Sequence, residues 1–438
     1  MNITLVKLGC PKNDVDAEVM QYVLQRAGHR FVSDPQEADA IIVNTCGFIT
    51  DAKQQSVNTI LEMAQYKQTG RCHTLVVTGC LSQRYSGELF DTLPEVDLMV
   101  GVNEYERIDE LLTSVREERR LLECSDLAGE PFVPGRVLEG RRSFAYLKIA
   151  EGCSNRCAYC AIPAIRGPYR SRPEQDILTE AAWLREQGVG EIILVAQDTT
   201  RYGMDLPGGE SLAGLLRKLI AIDGIPRLRL LYCYPELVTD ELLELVSGSD
   251  KIASYLDIPL QHIDDGILQC MNRRSDEAGI RALIGKIRGQ YPSIALRTTF
   301  IVGFPGESDA AFDKLLHFVE EARFDNMGAF VFSPEEGTPA ATFRPKVLLK
   351  TARERHHRLM LAQQAISAEL LAKRVGAVLP VLLDEVGEDG LLQGRAAFQA
   401  PDIDGVITVE GVGEEAIGTT IAVRVTEATE YDMRGVAL

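Results

Sequence analysis

The sequence predicts an α/β protein in three parts: an N-terminal doubly wound parallel sheet, a central partial (βα)6 barrel and a small C-terminal all-β barrel. Short apolar runs alternate with helical patterns from residue 1 to about 122, and the same alternation resumes from 141 to about 345. From about 375 to 438 the runs become β-rich and are broken by Gly and Asp. With 438 residues, the chain is long enough for about three domains.

The N-terminal part contains four short apolar runs, at 3–6, 40–43, 74–77 and 96–100, with helical patterns between them. Strands that alternate with helices of this length predict a parallel sheet covered on both faces. Residues from about 123 to 140 lack periodicity and carry Gly and Pro, which predicts a linker.

The central part contains six candidate strands, at 145–149, 191–196, 228–232, 255–258, 295–302 and 328–332. Helical patterns separate them, for example at 173–187, 212–220 and 276–289. Six βα units are too few for the closed eight-stranded barrel and predict a partial, open one. The β-rich runs of the C-terminal part, at 378–383, 405–409 and 420–425, predict a small barrel of about five strands.

Three cysteines, Cys153, Cys157 and Cys160, fall close together just after the first central strand, with the aromatic Tyr159 beside the last. Cysteine thiolates are the usual protein ligands of iron–sulfur clusters. Three thiolates on a four-iron cluster would leave one iron open to a small molecule, as an open zinc position takes substrate. A zinc knuckle or a chance group of buried cysteines is the alternative, but zinc prefers paired Cys-x2-Cys elements and four ligands.

A second set of cysteines occupies matching places in the N-terminal part. Cys10, Cys46 and Cys80 each follow one of the first three of these apolar runs, at 3–6, 40–43 and 74–77. Ligands bind at the carboxyl edge of an open parallel sheet, and neighbouring strands lie about 4.8 Å apart, so these thiols are expected to converge on a second cluster. The alternative is that they are ordinary small buried residues at strand ends.

Composition and charge restrict the location and the partners. No N-terminal stretch is typical of a signal peptide, and no apolar run approaches the roughly 20 residues that span a bilayer, so we expect a soluble, cytoplasmic protein with no membrane partner. The net charge of −18 argues against broad attraction to a polyanion.

Half of that charge lies in the C-terminal part, where twelve acidic residues face three arginines, a balance of −9. The acidic residues are Asp384, Glu385, Glu388, Asp389, Asp402, Asp404, Glu410, Glu414, Glu415, Glu427, Glu430 and Asp432; the arginines are Arg395, Arg424 and Arg434. A nucleic-acid-binding barrel should be basic, so this one favours a basic protein partner. A merely soluble acidic surface is the alternative.

The segment 151–160 resembles the signature of the radical S-adenosylmethionine (SAM) enzymes. The stretches around Cys10, Cys46 and Cys80 resemble the methylthiotransferases, a family of radical SAM enzymes. The stretches 8–13, 195–203, 255–262 and 297–306 are most similar to the RimO branch, which modifies ribosomal protein S12 of the small subunit. Residues 263–265 depart from that pattern, where a small residue and a serine are expected after His262.

The resemblance implies two 4Fe–4S clusters, one on Cys153, Cys157 and Cys160 that binds and cleaves SAM, and an auxiliary one on Cys10, Cys46 and Cys80. It implies a methylthiotransferase domain at 1–122, a linker at 123–140, a radical SAM core at 141–372 and a TRAM domain at 373–438. The predicted contacts of SAM are Tyr159, Gln197, Arg297, Gly303 and Gly306.

Some of these SAM contacts have a structural alternative. The glycines suit a close backbone approach to a flat ligand, although a simple turn would use them equally. Arg166, Arg170 and Arg172 follow the cysteine motif and are expected either to pair with a carboxylate of SAM or substrate or to be structural charges.

The implied reaction starts with a SAM-derived radical that removes hydrogen from the β-carbon of an aspartate on the ribosomal protein. The auxiliary cluster supplies or relays sulfur, a second SAM supplies the methyl group, and a protein such as flavodoxin supplies electrons. An unactivated C–H bond offers no acidic proton to a general base, which agrees with radical chemistry. The alternatives are methylthiolation of a transfer RNA adenosine, which the acidic C-terminal part disfavours, and a non-catalytic iron–sulfur protein.

Overall fold

The computed structural model describes residues 1–117, 120–125, 127, 132, 135–138, 140 and 143–438. Its contacts divide the chain into two compact units. Unit 1 comprises Met1–Leu138, Ala150–Arg172 and Glu335–Ala341, and unit 2 comprises Glu139–Ile149, Pro173–Pro334 and Thr342–Leu438. Within the described residues, no helix combines the length and the apolar character needed to cross a membrane.

Unit 1 is built on a six-stranded parallel sheet in the order β2-β1-β3-β4-β5-β6. The strands are β1 (Asn2–Lys7), β2 (Arg30–Phe31), β3 (Ala40–Thr45), β4 (Thr74–Gly79), β5 (Leu98–Val100) and β6 (Leu121–Glu123). The helices are α1 (Pro11–Arg26), α2 (Thr50–Ala64), α3 (Tyr66–Thr69), α4 (Cys80–Thr92) and α5 (Ile108–Glu117).

Apolar side chains on both faces of the sheet explain its two layers of helices. On β3, Ile41 packs in one core with Ile60 of α2, whereas Ile42 packs in another with Leu24 of α1 and Leu111 of α5. Successive residues of a strand point to opposite faces, so a strand buried on both sides is continuously apolar. The predicted doubly wound parallel sheet is confirmed, with the two short strands β2 and β6 added at its edges.

The chain next forms β7 (Phe144–Lys148) in unit 2, and then β8 (Ala150–Glu151), α6 (Ile162–Arg166) and β9 (Arg170–Ser171) in unit 1. The pairing of β8 with β9 is antiparallel and closes a loop that contains Cys153, Cys157 and Cys160.

Unit 2 contains the six-stranded parallel core that the sequence predicts. Besides β7, its strands are β10 (Glu191–Val195), β11 (Arg227–Leu230), β12 (Tyr255–Asp257), β13 (Ala295–Val302) and β14 (Asn326–Val331). Its helices are α7 (Glu174–Glu186), α8 (Leu212–Ile220), α9 (Asp240–Gly248), α10 (Asp265–Cys270), α11 (Glu277–Gln290), α12 (Asp309–Ala322) and α13 (Leu349–Ala372). Two three-stranded sheets, β11-β10-β7 and β12-β13-β14, adjoin through a parallel bridge between Leu228 and Ile252, as expected of a partial barrel.

The C-terminal part of unit 2 is a closed barrel in the order β15-β16-β17-β19-β18. Its strands are β15 (Val378–Val386), β16 (Leu392–Arg395), β17 (Ile407–Glu410), β18 (Thr420–Ala428) and β19 (Met433–Ala437). The predicted five-stranded barrel is confirmed, although the apolar runs of the sequence locate only three of the strands. Gly394 interrupts the pattern of β16 because a Cβ there would lie 2.4 Å from the carbonyl oxygen of Leu382.

Buried charges tie this barrel to the core of unit 2. Glu191, the first residue of β10, is fully buried, and three arginines surround it, of which Arg395 comes from the barrel. The nitrogen–oxygen distances are 2.7 Å to Arg227, 2.9 Å to Arg229 and 2.8 Å to Arg395. Burial alone would raise the pKa of Glu191, but the three guanidinium groups hold this pKa far below its usual value.

Residues 396–405, between β16 and β17, add a second buried connection. The carboxylate of Asp404 accepts a hydrogen bond from the Tyr255 hydroxyl at 2.7 Å and pairs with Arg297 at 3.3 Å. Tyr255 begins β12, so the C-terminal barrel contacts the amino-terminal ends of the core strands.

Replacing Glu191 by Gln is expected to destabilise unit 2 by about 3–5 kcal/mol, because three guanidinium groups then lose the carboxylate that compensates their buried charge. The pKa of Glu191 is lower in the folded protein, so its stabilisation is present above a pH of about 4.3, its unfolded pKa, and fades as the pH falls below that value. Urea unfolding followed by the fluorescence of Trp183, the single tryptophan, measures the change.

The matched control is Glu241→Gln, which breaks the exposed pair with Arg217 and is expected to change the urea midpoint little. Equal midpoints for the two variants would contradict a stabilising role of the buried charges around Glu191.

Candidate functional site

The three N-terminal cysteines lie at the carboxyl edge of the sheet of unit 1. Cys10 precedes the first residue of α1, Cys46 follows β3, and Cys80 is the first residue of α4 directly after β4. Each is close enough to another for their charges to interact: Cys10 and Cys46 both oppose ionisation of Cys80. Burial, with these neighbours, raises the pKa of the Cys80 thiol to about 11.

The other three cysteines lie on the loop between β8 and β9. Backbone hydrogen bonds hold this loop, since the Cys153 N–H donates to the Gly167 carbonyl and the Cys160 N–H to the Cys157 carbonyl, each at 3.1 Å. Burial raises the pKa of the Cys160 thiol to about 12, and charges on Cys157 and Cys153 would add to the rise. The loop therefore gathers its three thiols in a largely buried position.

Gly152 allows the loop to turn immediately before Cys153. Its φ is +75°, and a Cβ there would lie 2.1 Å from the carbonyl oxygen of Pro168. No other residue fits this position without moving the backbone.

The two sets of cysteines adjoin within unit 1. Cys80 packs in one apolar cluster with Ala161 and Ile165, and Ala161 directly follows Cys160 in the chain. From α4, Arg84 donates to the Gly47 carbonyl at 2.9 Å, and its positive charge favours the thiolate of Cys160. Arg84 thus lies beside both Gly47, which follows Cys46, and the loop between β8 and β9.

Arg166, at the end of α6, connects the same two regions. It is only 2 % exposed, and Nη1 contacts Asp16 at 2.7 Å and Glu151 at 3.2 Å. Nη2 donates to Oδ1 of Asn13 at 2.7 Å and to Sγ of Cys80 at 3.4 Å. The carboxylates that contact the guanidinium, those of Asp16 and Glu151, thus belong to the chain itself.

The donor chemistry of both sets fits an iron–sulfur cluster. Among the described residues, no three His, Cys, Asp or Glu side chains are close enough to share a single metal ion. A cluster binds each thiolate at a different iron, so it suits sulfurs that are neighbours without meeting at one point. Because burial raises the pKa of the Cys80 and Cys160 thiols, binding of a cluster to them would release their protons.

The residues predicted to contact SAM have different surroundings. Tyr159 lies partly buried on the cysteine loop of unit 1, and the other four lie in unit 2, with Gln197 partly buried just after β10. Arg297 on β13 pairs with Asp257 at 3.0 Å as well as with Asp404, and these carboxylates raise its pKa.

The two predicted glycines differ in the space around them. A Cβ on Gly303 would lie 2.4 Å from Cβ of Ala352 on α13, whereas Gly306 faces open space. Glu307 holds this turn, because its carboxylate accepts from the Phe304 N–H at 3.2 Å and pairs with Arg355 at 3.0 Å.

Two residues that the sequence does not single out have unusual backbone conformations. Tyr232 and Gln261, which follow β11 and β12, have φ of 62° and 71°. Asp257 supports the first of them by accepting the Tyr232 N–H at 3.0 Å. Such strain in non-glycine residues concentrates at functional sites, and only the backbone reveals it.

Comparison with family profiles divides the chain into three matched regions. Residues 2–101 match UPF0004, an uncharacterized protein family, residues 147–319 match the radical SAM superfamily, and residues 375–438 match the TRAM domain. Together with the fold, these matches define a radical SAM enzyme, a class that uses SAM and a 4Fe–4S cluster.

Curated relatives match over almost the whole length. Proteins named ribosomal protein uS12 methylthiotransferase RimO are 50% identical in Geotalea uraniireducens, 48% in Geobacter sulfurreducens and 44% in Clostridioides difficile. Each alignment covers 99% of this chain and 97–98% of the relative. The chain belongs to the RimO family of methylthiotransferases.

Solved structures share the fold at low sequence identity. The radical SAM methyltransferase TsrM from Kitasatospora setae, with cobalamin and a [4Fe-4S] cluster bound, aligns with a TM-score of 0.58 and 15% identity over 86% of this chain and 80% of that one. The cobalamin-dependent radical enzyme OxsB gives 0.55 and 13% over 83% of this chain and 56% of that one. At these identities the likeness shows the fold alone.

Replacing Gly152 by Ala is expected to prevent iron uptake at Cys153, Cys157 and Cys160, because the new Cβ and the Pro168 carbonyl cannot occupy the same space. Gly188→Ala is the matched control, since Gly188 has φ of +77° with no atom within 4 Å of its Cβ position. Both variants have the strain of a left-handed residue, about 1–2 kcal/mol, but only the first has the clash.

Iron and sulfide content after anaerobic reconstitution is the measurement. Iron uptake by Gly152→Ala equal to that of Gly188→Ala would contradict the role of this turn.

Proposed function

We propose that this protein adds a methylthio group to the β-carbon of an aspartate of ribosomal protein uS12. The observation that carries the proposal is the identity of 44–50% over nearly the full chain to relatives named for that reaction. The neighbouring positions of the two cysteine sets in unit 1 support it, because transfer of sulfur to a carbon radical requires the radical-forming site and the sulfur source to lie close together.

Two 4Fe–4S clusters are part of the proposal, one on Cys153, Cys157 and Cys160 and the auxiliary one on Cys10, Cys46 and Cys80. When bound, they would supply the electron that cleaves SAM and a sulfur source for the product. Of the six thiols, those of Cys80, Cys153 and Cys157 are buried and the other three are partly buried, which limits the access of water to a reactive site. Tyr159, Gln197, Arg297, Gly303 and Gly306 remain proposed contacts of SAM.

The surface of the C-terminal barrel supports a basic protein as the substrate. Of its twelve acidic residues, Asp384 and Asp404 pair with arginines inside the unit, and the other ten are exposed. Of the three arginines, Arg395 is buried and two are exposed. The outer surface is therefore strongly negative, which attracts a basic protein and repels the phosphates of a transfer RNA.

The proposal also includes the expected division into a methylthiotransferase domain at 1–122, a linker at 123–140, a radical SAM core at 141–372 and a TRAM domain at 373–438. A flavodoxin-like protein would be the reductant, and the cytoplasm the location, because both the ribosome and reduced cysteines are found there.

An anaerobic competition assay tests this function. Reconstituted, reduced protein receives SAM, sulfide, ribosomal protein uS12 and transfer RNA in one tube, and mass spectrometry examines both substrates. A methylthio mass gain on an aspartate-containing peptide of uS12 is the expected result. The same gain on the RNA, or SAM cleavage with no gain on either, would refute the proposed substrate.

Single cysteine variants separate the two cluster roles in this assay. Cys153→Ala is expected to abolish SAM cleavage, because an open-iron site requires all three thiolates of its loop. Cys46→Ala is expected to retain SAM cleavage but lose methylthio transfer. Cys270→Ala is the control, since this exposed cysteine lies outside both sets and should change neither step. Normal methylthio transfer by Cys46→Ala would contradict the auxiliary role.

Reversing three acidic charges on the barrel tests its role in binding. Glu388, Glu414 and Glu430 are exposed, and their replacement by Lys is expected to weaken uS12 binding at least tenfold at low salt and less at high salt. Glu62→Lys, Glu88→Lys and Glu244→Lys make the same change of net charge at exposed sites outside the barrel.

Titration calorimetry or anisotropy with labelled uS12 measures both variants. Equal weakening would show that net charge, and not the barrel surface, determines the affinity.

A further inference from the structure

We propose that Arg166 is a positioning residue that raises the reduction potential of the cluster on Cys10, Cys46 and Cys80. This role rests on the proposed auxiliary cluster, and Arg166 is not one of the six proposed cysteine ligands. Its basis is the hydrogen bond of 3.4 Å from Nη2 of Arg166 to Sγ of Cys80.

The orientation of the Arg166 guanidinium is determined by groups on α1. Asp16 accepts from Nη1 and Asn13 from Nη2, both at 2.7 Å, and all three side chains are buried. A guanidinium is planar, so two short contacts on its two terminal nitrogens also fix the direction of the remaining N–H bonds. One of those N–H groups is thereby directed at Cys80.

Asn13 is itself oriented by the strand ends that precede the other two cysteines. Its Nδ2 donates to the carbonyls of Leu8 and Thr45, both at 2.9 Å. Leu8 lies two residues before Cys10, and Thr45 directly precedes Cys46. Because both amide hydrogens are used, the amide oxygen of Asn13 is left to accept from Arg166. Through Asn13, the position of Arg166 is therefore fixed relative to the backbone beside Cys10 and Cys46.

A hydrogen bond to a ligand sulfur changes the potential of a cluster. It withdraws electron density from the thiolate and stabilises the reduced, more negative state, so the potential rises. The effect is largest where solvent is excluded, and Arg166 and Cys80 are only 2 % and 6 % exposed. A guanidinium also keeps its charge at every relevant pH, so the contact with Cys80 persists.

The same guanidinium contacts Glu151 of β8, two residues before Cys153. The bond to Cys80 is therefore fixed relative to the loop that contains Cys153, Cys157 and Cys160. This arrangement distinguishes Arg166 from Arg84, whose charge acts on Cys160 but whose guanidinium donates to the Gly47 carbonyl, Glu335 and the Glu336 carbonyl.

A redox titration of the auxiliary cluster tests the proposal. The parent is the full-length chain with Cys153, Cys157 and Cys160 replaced by Ala, so that the auxiliary cluster alone gives the electron paramagnetic resonance signal. In this background, Arg166→Gln combined with Glu151→Gln removes one positive and one negative charge, which leaves the net charge of the buried group unchanged. Arg166→Lys retains the charge but lacks the planar fork.

Both variants are expected to lower the potential. At a fixed potential, the ratio of reduced to oxidised cluster should fall at least tenfold in the double variant, equivalent to about 59 mV for a one-electron couple, and less in Arg166→Lys. Arg355→Lys is the matched control, because Arg355 is a buried arginine that pairs with two carboxylates, Glu307 and Asp309, and belongs to unit 2, whereas the three cysteines of the auxiliary set belong to unit 1. It should leave the potential unchanged.

A potential equal to that of the parent in iron-loaded variants would overturn the proposal, since a merely structural role would change stability and leave the potential unaffected. Should the double variant fail to take up iron, the Arg166→Lys titration decides alone. The measurement needs neither SAM nor a substrate, so it stands apart from the methylthio assay.

Discussion

A single buried guanidinium organises the cysteine-rich region of this protein. Arg166 contacts α1 through Asp16 and Asn13, α4 through Cys80, and β8 through Glu151. A buried charge is tolerated only when its partners surround it, so the loop after β8 and the edge of the N-terminal sheet have one favourable arrangement relative to each other. The closeness of Cys80 to Ala161 follows from that arrangement.

The parallel sheet supplies the second constraint. Its strands end at one edge, and a cysteine follows each of β1, β3 and β4 there, so topology alone brings together residues that are far apart in the chain. The order of strands reverses between β1 and β3, which opens the edge where Cys10 and Cys46 lie. The loop between β8 and β9 belongs to the same unit, so all six of these cysteines lie in unit 1.

The regular elements, and the location of the cysteines just after strands, could be predicted from the sequence, whereas the long-range contacts could not. The doubly wound sheet, the six core strands and three of the five barrel strands follow from apolar periodicity. The two-residue strands β8 and β9 are too short to show a period. The sequence therefore assigns residues 150–172 to the central part only because they follow its first strand in the chain, whereas their contacts place them in unit 1. Glu191, Arg166 and the strained Tyr232 have no local signature, because their roles depend on partners distant in the chain.

The buried charges beneath the C-terminal barrel restrict how the family can diversify. Arg395 and Asp404 belong to the barrel, whereas their partners Glu191 and Arg297 belong to the core. Each ion pair stabilises the protein only when both of its members are present. A barrel without these two charges would leave Glu191 and Arg297 without one of their buried partners and would destabilise unit 2. The outer acidic face is free of this requirement, so its charges can change while the buried ion pairs beneath the barrel stay fixed.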